Sequence, residues 1–188
     1  MAILPIVTYN DPILRKKTEP VPADSEALQT LIDDMFETMY NSSGVGLAAP
    51  QIGQTHRLFV MDADVITEET DDPNLGPMAF INPEILETAG ESVKMEEGCL
   101  SIPELRDDVA RPEQVTVRYL DRNFQPQERT FGGWNARVIQ HEYDHLEGIL
   151  FLDHLSAFKR RLHRSLLKKI DRGELETDYP LVAKVPVS

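Results

Sequence analysis

His141-Glu142-Tyr143-Asp144-His145 is a run of residue types that could carry out metal-assisted hydrolysis. Two histidines four residues apart lie on one face of a helix, one turn apart, so both imidazoles can bind one ion. A neutral imidazole donates a lone pair. Glu142, beside the first histidine, can take a proton from a water held by that ion. A divalent ion lowers the pKa of such a water to roughly 7. The pattern alone also fits an exposed helix with scattered charges, so other segments must decide.

A catalytic centre of this kind needs a third protein ligand and an open fourth position. His154 and His163 follow at no familiar spacing, and both read as surface residues. Upstream, Glu96-Glu97-Gly98-Cys99-Leu100-Ser101 holds the only cysteine of the chain. Cys99 is either a small buried hydrophobe or a thiolate ligand; the glycine and charges around it fit an ordinary core strand poorly. A third segment runs Gly44-Val45-Gly46-Leu47-Ala48-Ala49-Pro50-Gln51-Ile52-Gly53. No Lys-Ser/Thr pair follows it, which excludes a Walker loop. Its glycines let another backbone approach closely. Gln51, the polar side chain in this run, is either a satisfied amide or a donor to a developing oxyanion.

These segments need elements to hold them. Asp24 or Ser25 can cap a helix whose apolar face is Leu28, Leu31, Ile32, Met35, Phe36 and Met39, ending before Asn41-Ser42-Ser43-Gly44. Residues 57–61 read as a short strand and residues 62–77 as an acidic surface excursion. Phe80-Ile81-Asn82 reads as a strand stopped by Pro83. Val115, Val117 and Tyr119 alternate with polar residues as in a half-buried strand, with residues 128–131 as hairpin partner. A helix is expected over 134–146, with Gly148 as its C′ glycine. Another starts near Ser156 with Phe158, Leu162, Leu166 and Ile170 on one face and Lys159, Arg160, Arg161, Arg164, Lys168, Lys169 and Arg172 on the other. The reading is α+β: mainly antiparallel strands around a central HExxH helix, with an N-terminal and a C-terminal helix. Residues 1–172 form one catalytic domain and residues 173–188 an extended tail.

The chain has 188 residues, enough for one domain with its own core, and a formal net charge of -13. That charge argues against nucleic-acid binding by the whole surface and against sequence-specific readout. One cysteine excludes an internal disulfide. No apolar run approaches the roughly 18 residues of a membrane span. The opening MAILPIVTYNDPILRKK reads as neither signal nor transit peptide, so the expected location is the cytoplasm.

Taken together and in order, GVGLAAPQIG, EEGCLSIP and QHEYDHLEG resemble the three motifs of the peptide deformylase family. The resemblance extends through NDPILRKK and FINPEIL, over roughly residues 4 to 172. It implies Cys99, His141 and His145 as ligands of one divalent metal, with water as the fourth. The family typically uses Fe²⁺, whereas ligand softness alone favours Zn²⁺; Ni²⁺ or Co²⁺ are possible substitutes. Glu142 would be the general acid/base, and Gln51 with the Leu100 backbone N–H would stabilise the oxyanion. Substrates would be nascent chains beginning with N-formylmethionine. Val45, Trp134, Val138 and His141 would line a methionine pocket with Leu100 at its rim, although Trp134 and Val138 equally fit core packing. Backbone groups of Val45, Gly46 and Gly98 would pair with the extended peptide. Arg106 would face the peptide or solvent, and Asp144 would orient a neighbouring group or be a solvated helix charge.

The basic stretch 155–172 holds seven of the 19 Lys and Arg and one of the 32 acidic residues. This polarity fits either a solvated helix face or docking on ribosomal RNA where nascent chains emerge. Two rivals remain at this level. A metalloprotease would cut internal bonds and tolerate loss of Cys99. A binding protein with a structural ion would need a closed set of four ligands.

Overall fold

A computed structural model describes residues 1–183 of the chain. Five strands form one antiparallel sheet in the order β2 (Gly46–Ala48), β3 (Leu58–Met61), β4 (Met78–Cys99), β5 (Ile102–Leu120) and β6 (Pro126–Gly132). The alternation at Val115, Val117 and Tyr119 buries all three. They pack with Phe59, Phe80 and Phe131 against Ala136, Val138 and Ile139 of helix α3 (Gly133–Leu146). Helix α1 (Glu26–Asn41) covers a second cluster, burying Leu28, Ile32, Met35 and Met39 against Leu47, Leu58, Val60 and Ile81. The Ser25 hydroxyl caps it by accepting from the Leu28 N–H at 3.1 Å. The α+β reading with antiparallel strands around the HExxH helix therefore holds.

Helix α3 is buried yet polar. Asn135, Arg137, Gln140, His141, Glu142 and His145 are all buried, an arrangement stable only if each finds a partner or a ligand. Its C-terminus closes as expected. The Gly148 N–H reaches the His145 carbonyl and the Ile149 N–H reaches the Asp144 carbonyl, the Schellman pattern. Gly148 has φ +74°, and a Cβ there would meet the Arg15 carbonyl oxygen at 2.6 Å, so no other residue fits. The Leu146 carbonyl also accepts from both the backbone N–H and the hydroxyl of Thr18.

Four expectations change. Pro83 does not stop a strand: β4 runs through it, because the register with β5 shifts between Ile81 and Glu84. Asn82 takes φ +50° at this bulge, and its side-chain amide bonds both backbone groups of Val21 at 2.7 and 2.8 Å. Residues 62–77 are more than a surface excursion. They include the short helix α2 (Asp64–Thr67), they bury Ala63 and Thr67, and Asp72 accepts from the Trp134 N–H that begins α3. The C-terminal helix is two helices, α4 (Ala157–Leu162) and α5 (Arg164–Asp171). Asp107 holds both Lys159 and His163 at the break. The expected apolar stripe is split there: Leu166 and Ile170 pack on the body, whereas Phe158 and Leu162 are exposed. The chain after Gly173 returns to the body, where β7 (Leu181–Val182) pairs in parallel with β1 (Ile6–Val7); residues 184–188 of the expected tail lie outside the described residues. Among the described residues no helix is long and apolar enough to cross a membrane.

The Asn82 bulge gives a direct test of this fold. Asn82→Ala removes two backbone-directed bonds and leaves a side chain in the left-handed region. It should lower stability by about 2–3 kcal/mol, measured by urea unfolding, and Asn82→Gly should recover part of that loss.

Candidate active site

Three parts of the chain meet at one end of α3. Strand β4 delivers Glu97 and Cys99 to the same side, two residues apart, with Gly98 between them. A two-residue turn, Leu100-Ser101, joins Cys99 to its pairing partner Ile102. Helix α3 delivers His141 and His145 one turn apart, with ring centroids separated by 5.2 Å. Strand β2 and the single helical turn Ala49–Ile52 deliver Gly46 and Gln51.

The Cys99 sulfur and one ring nitrogen from each of His141 and His145 lie within 4.8 Å of one another. Cys99 Sγ is 3.4 Å from His145 Nε2. Burial holds His145 well below its ordinary pKa, whereas bonds to Cys99 and Glu97 outweigh burial at His141 and hold it well above. The donors match a soft sulfur/nitrogen site for a divalent transition ion. They number three, and no fourth His, Cys, Asp or Glu joins the cluster among the described residues. This is the open arrangement of a catalytic site rather than the closed set of a structural one.

Glu142 stands beside these donors. Its Oε2 is buried with no hydrogen-bond partner among the described residues. Burial pushes its carboxyl up to about 7. The backbone of Gly46 passes so near that a Cβ there would lie 2.5 Å from Glu142 Oε1. Gln51 is oriented by its own carbonyl oxygen, which accepts from the Ala48 N–H at 2.9 Å. Its amide nitrogen then lies 3.5 Å from Cys99 Sγ and 3.3 Å from Ser101 Oγ.

Behind the histidines lies a charge network that the sequence reading missed. Glu97 accepts from His141 Nδ1 at 2.7 Å, from Arg111 at 2.7 and 3.0 Å, and from Arg137 at 2.9 Å. Desolvation raises the Glu97 pKa, but the bonds from His141 and Arg111 outweigh it and hold the carboxyl well below the usual range. Arg111 also reaches Asp144 at 2.8 Å, and Asp144 accepts from His154 at 2.8 Å. Asp144 therefore orients Arg111 and His154 rather than a ligand. Two signals could have found Glu97: its period-two relation to Cys99, and the need of a ligating histidine for a carboxylate at its second nitrogen.

A cleft of about 840 Å³ opens beside the donors. Val45, Gly46, Gln51, Gly98, Cys99, Leu100, Arg106, Trp134, Val138, His141 and Glu142 all line it. Val138 is buried, whereas the Arg106 side chain is exposed at the mouth, 3.5 Å from Glu96. Residues 176–179, beyond the last helix, form another part of the wall. No motif marks them.

Comparison with known proteins agrees with this geometry. A family profile described as polypeptide deformylase matches residues 3–161. A peptide deformylase of Salinibacter ruber is 55% identical, over 97% of this chain and 95% of its own. The crystal structure of peptide deformylase from Ehrlichia chaffeensis in complex with actinonin superposes with a TM-score of 0.84 at 40% identity, covering 94% of this chain and all of that one. The Met-Ala-Ser-bound class I type b enzyme of Acinetobacter baumannii gives 0.77 at 39% identity, covering 82% and 99%. The chain belongs to the peptide deformylase family, metal-dependent hydrolases that remove the N-formyl group from newly made proteins.

Proposed function

We propose that Cys99, His141 and His145 hold one divalent ion, Fe²⁺ in the cell, and that the surrounding residues hydrolyse the formyl amide of N-formylmethionyl peptides. The observation that carries this reading is the convergence of the three donors beside Glu142, whose buried Oε2 has no partner among the described residues. Zn²⁺, Ni²⁺ or Co²⁺ would fit the same donors. When bound, the ion supplies Lewis acidity: it acidifies a water and polarises the formyl oxygen.

The chain's own residues do the rest. Glu142 takes a proton from the attacking water, whose oxygen bonds to the formyl carbon. A carboxyl poised near neutral pH accepts and returns that proton well. Gln51 Nε2 and the Leu100 N–H hold the oxyanion. The Gln51 amide contacts Cys99 Sγ at 3.5 Å and Ser101 Oγ at 3.3 Å, so it lies next to the metal donors, where a developing negative oxygen can capture it. Glu142 then passes the proton to the amine nitrogen as the carbon–nitrogen bond breaks, leaving formate and a free N-terminus. Val45, Trp134, Val138 and His141 surround the methionine side chain, with Leu100 at the rim. Backbone groups of Val45, Gly46 and Gly98 align the peptide as an added strand, and Arg106 flanks its far end. The Met-Ala-Ser bound by the Acinetobacter relative is in keeping with this substrate class.

The same reading sets the enzyme in the cytoplasm, where nascent chains emerge, with ribosome contact through residues 156–172. Support comes from Arg160, Arg161, Arg164, Lys168 and Lys169, which are exposed. Lys159 and His163 are engaged by Asp107 and are not available.

Two measurements follow. Anaerobically prepared, iron-loaded protein should release formate from a formyl-Met peptide, and Glu142→Ala should lose about 10²–10⁴ of the rate; no release from folded, loaded protein overturns the reading. Co-sedimentation with ribosomes should weaken as salt rises and vanish when Arg160, Arg161 and Arg164 are changed to Glu. Binding unaltered by that reversal removes the ribosome contact from the account.

A further inference from the structure

The Leu100-Ser101 turn needs help from outside itself. Two-residue hairpin turns prefer types with positive φ, which match the twist of the flanking strands. Neither Leu100 nor Ser101 has positive φ. Three bonds from distant parts of the chain hold this turn instead. The Ser101 carbonyl accepts from the Tyr9 N–H at 2.9 Å, and the Ser101 hydroxyl accepts from Gln51 at 3.3 Å. The Leu100 carbonyl accepts from the Tyr179 hydroxyl at 2.7 Å, across 79 residues of sequence.

Tyr179 is fixed in turn. Its ring packs against the core cluster that includes Leu47 and Ala49. Next to it, the Ile6 N–H donates to the Pro180 carbonyl at 2.9 Å, where β7 joins β1. On the other side, the Thr177 hydroxyl donates to the Tyr179 carbonyl at 2.7 Å. Residues 176–179 line the same cleft as Cys99, Leu100 and Glu142. The amide and carbonyl of Leu100 share one Cα, so holding the carbonyl limits the swing of the amide.

We propose that the returning C-terminal segment is part of the catalytic machinery, and that Tyr179 is a positioning residue that aims the Leu100 N–H at the oxyanion. This rests on the reading of Leu100 N–H as an oxyanion donor. A positioning bond contributes only to the transition state, whose oxyanion the amide must meet, and not to binding of the formyl-peptide ground state.

Tyr179→Phe keeps the ring and removes the one bond. In iron-loaded, full-length protein it should lower kcat about tenfold, less than the roughly 10²–10³ of losing an oxyanion donor outright. KM for a formyl-Met-Ala-Ser peptide should stay unchanged, and Tm should fall by only about 2–4 °C, as loss of one part-buried bond implies. Wild-type kcat overturns the proposal, and so does a rise in KM with kcat retained, which would make residues 176–179 a substrate wall only. A Tm lowered by more than about 10 °C alongside the fall in kcat also overturns it, as a structural effect. Gln51→Ala and Glu142→Ala, run beside it, separate the two levels of the argument. If both lose activity while Tyr179→Phe does not, the site reading stands and the Tyr179 proposal fails. If neither loses activity, the site reading itself fails.

Discussion

The Glu97 carboxylate is the constraint on which the site depends. It is buried with the guanidinium groups of Arg111 and Arg137 and with the His141 ring. Moving such charges out of water is costly, and the cost is offset only when every lone pair and proton is used. Here they are used. Glu97 sits on β4 two residues before Cys99; His141 and Arg137 sit on α3; Arg111 sits on β5. One carboxylate therefore ties the strand that carries the sulfur to the helix that carries the nitrogens. It also fixes which nitrogen of His141 stays free, because Nδ1 is taken.

The rest of the architecture serves a helix that is both buried and polar. An apolar helix in the same place would pack without conditions. With His141, Glu142 and His145 inside, the fold has to place acceptors, donors and open space atom by atom. It does so from remote parts of the chain. Asp72 meets the first turn of α3, Thr18 and the Schellman turn close the last, and Gln140 bonds the Pro112 carbonyl at 3.0 Å. Among the described residues, two of the five buried side-chain atoms without a partner, Glu142 Oε2 and His145 Nδ1, lie in the site itself. Unpaired buried polar atoms are rare and costly, and they concentrate where a protein must meet a ligand.

What could be read from sequence follows the same division. The HExxH pair pointed to a metal site by type and spacing, whereas Cys99 and Gln51 each kept two readings as single residues and took their expected roles from the three motifs together. The helices at 26–41 and 133–146 were legible from apolar period and caps. Pro83 misled, because a bulge takes up its missing donor, and a bulge depends on the partner strand. Glu97 looked like one charge among several, since its partners come from residues 111, 137 and 141. The tail read only as an extended segment for a related reason. Its anchors, β1 and the Leu100 carbonyl, lie far away in sequence and carry no side-chain signature. Long-range backbone pairing leaves almost no trace in a single sequence.

The central claim is that Glu97 joins strand and helix into one metal site, and Glu97→Gln tests it most directly. The change is isosteric, but it removes the charge that Arg111 and Arg137 neutralise. The measurement is metal affinity of the zinc-loaded protein by chelator competition, with circular dichroism to show that the variant is folded. The account predicts affinity weaker by about 10- to 100-fold. A folded Glu97→Gln protein that binds metal as tightly as the wild type would contradict it.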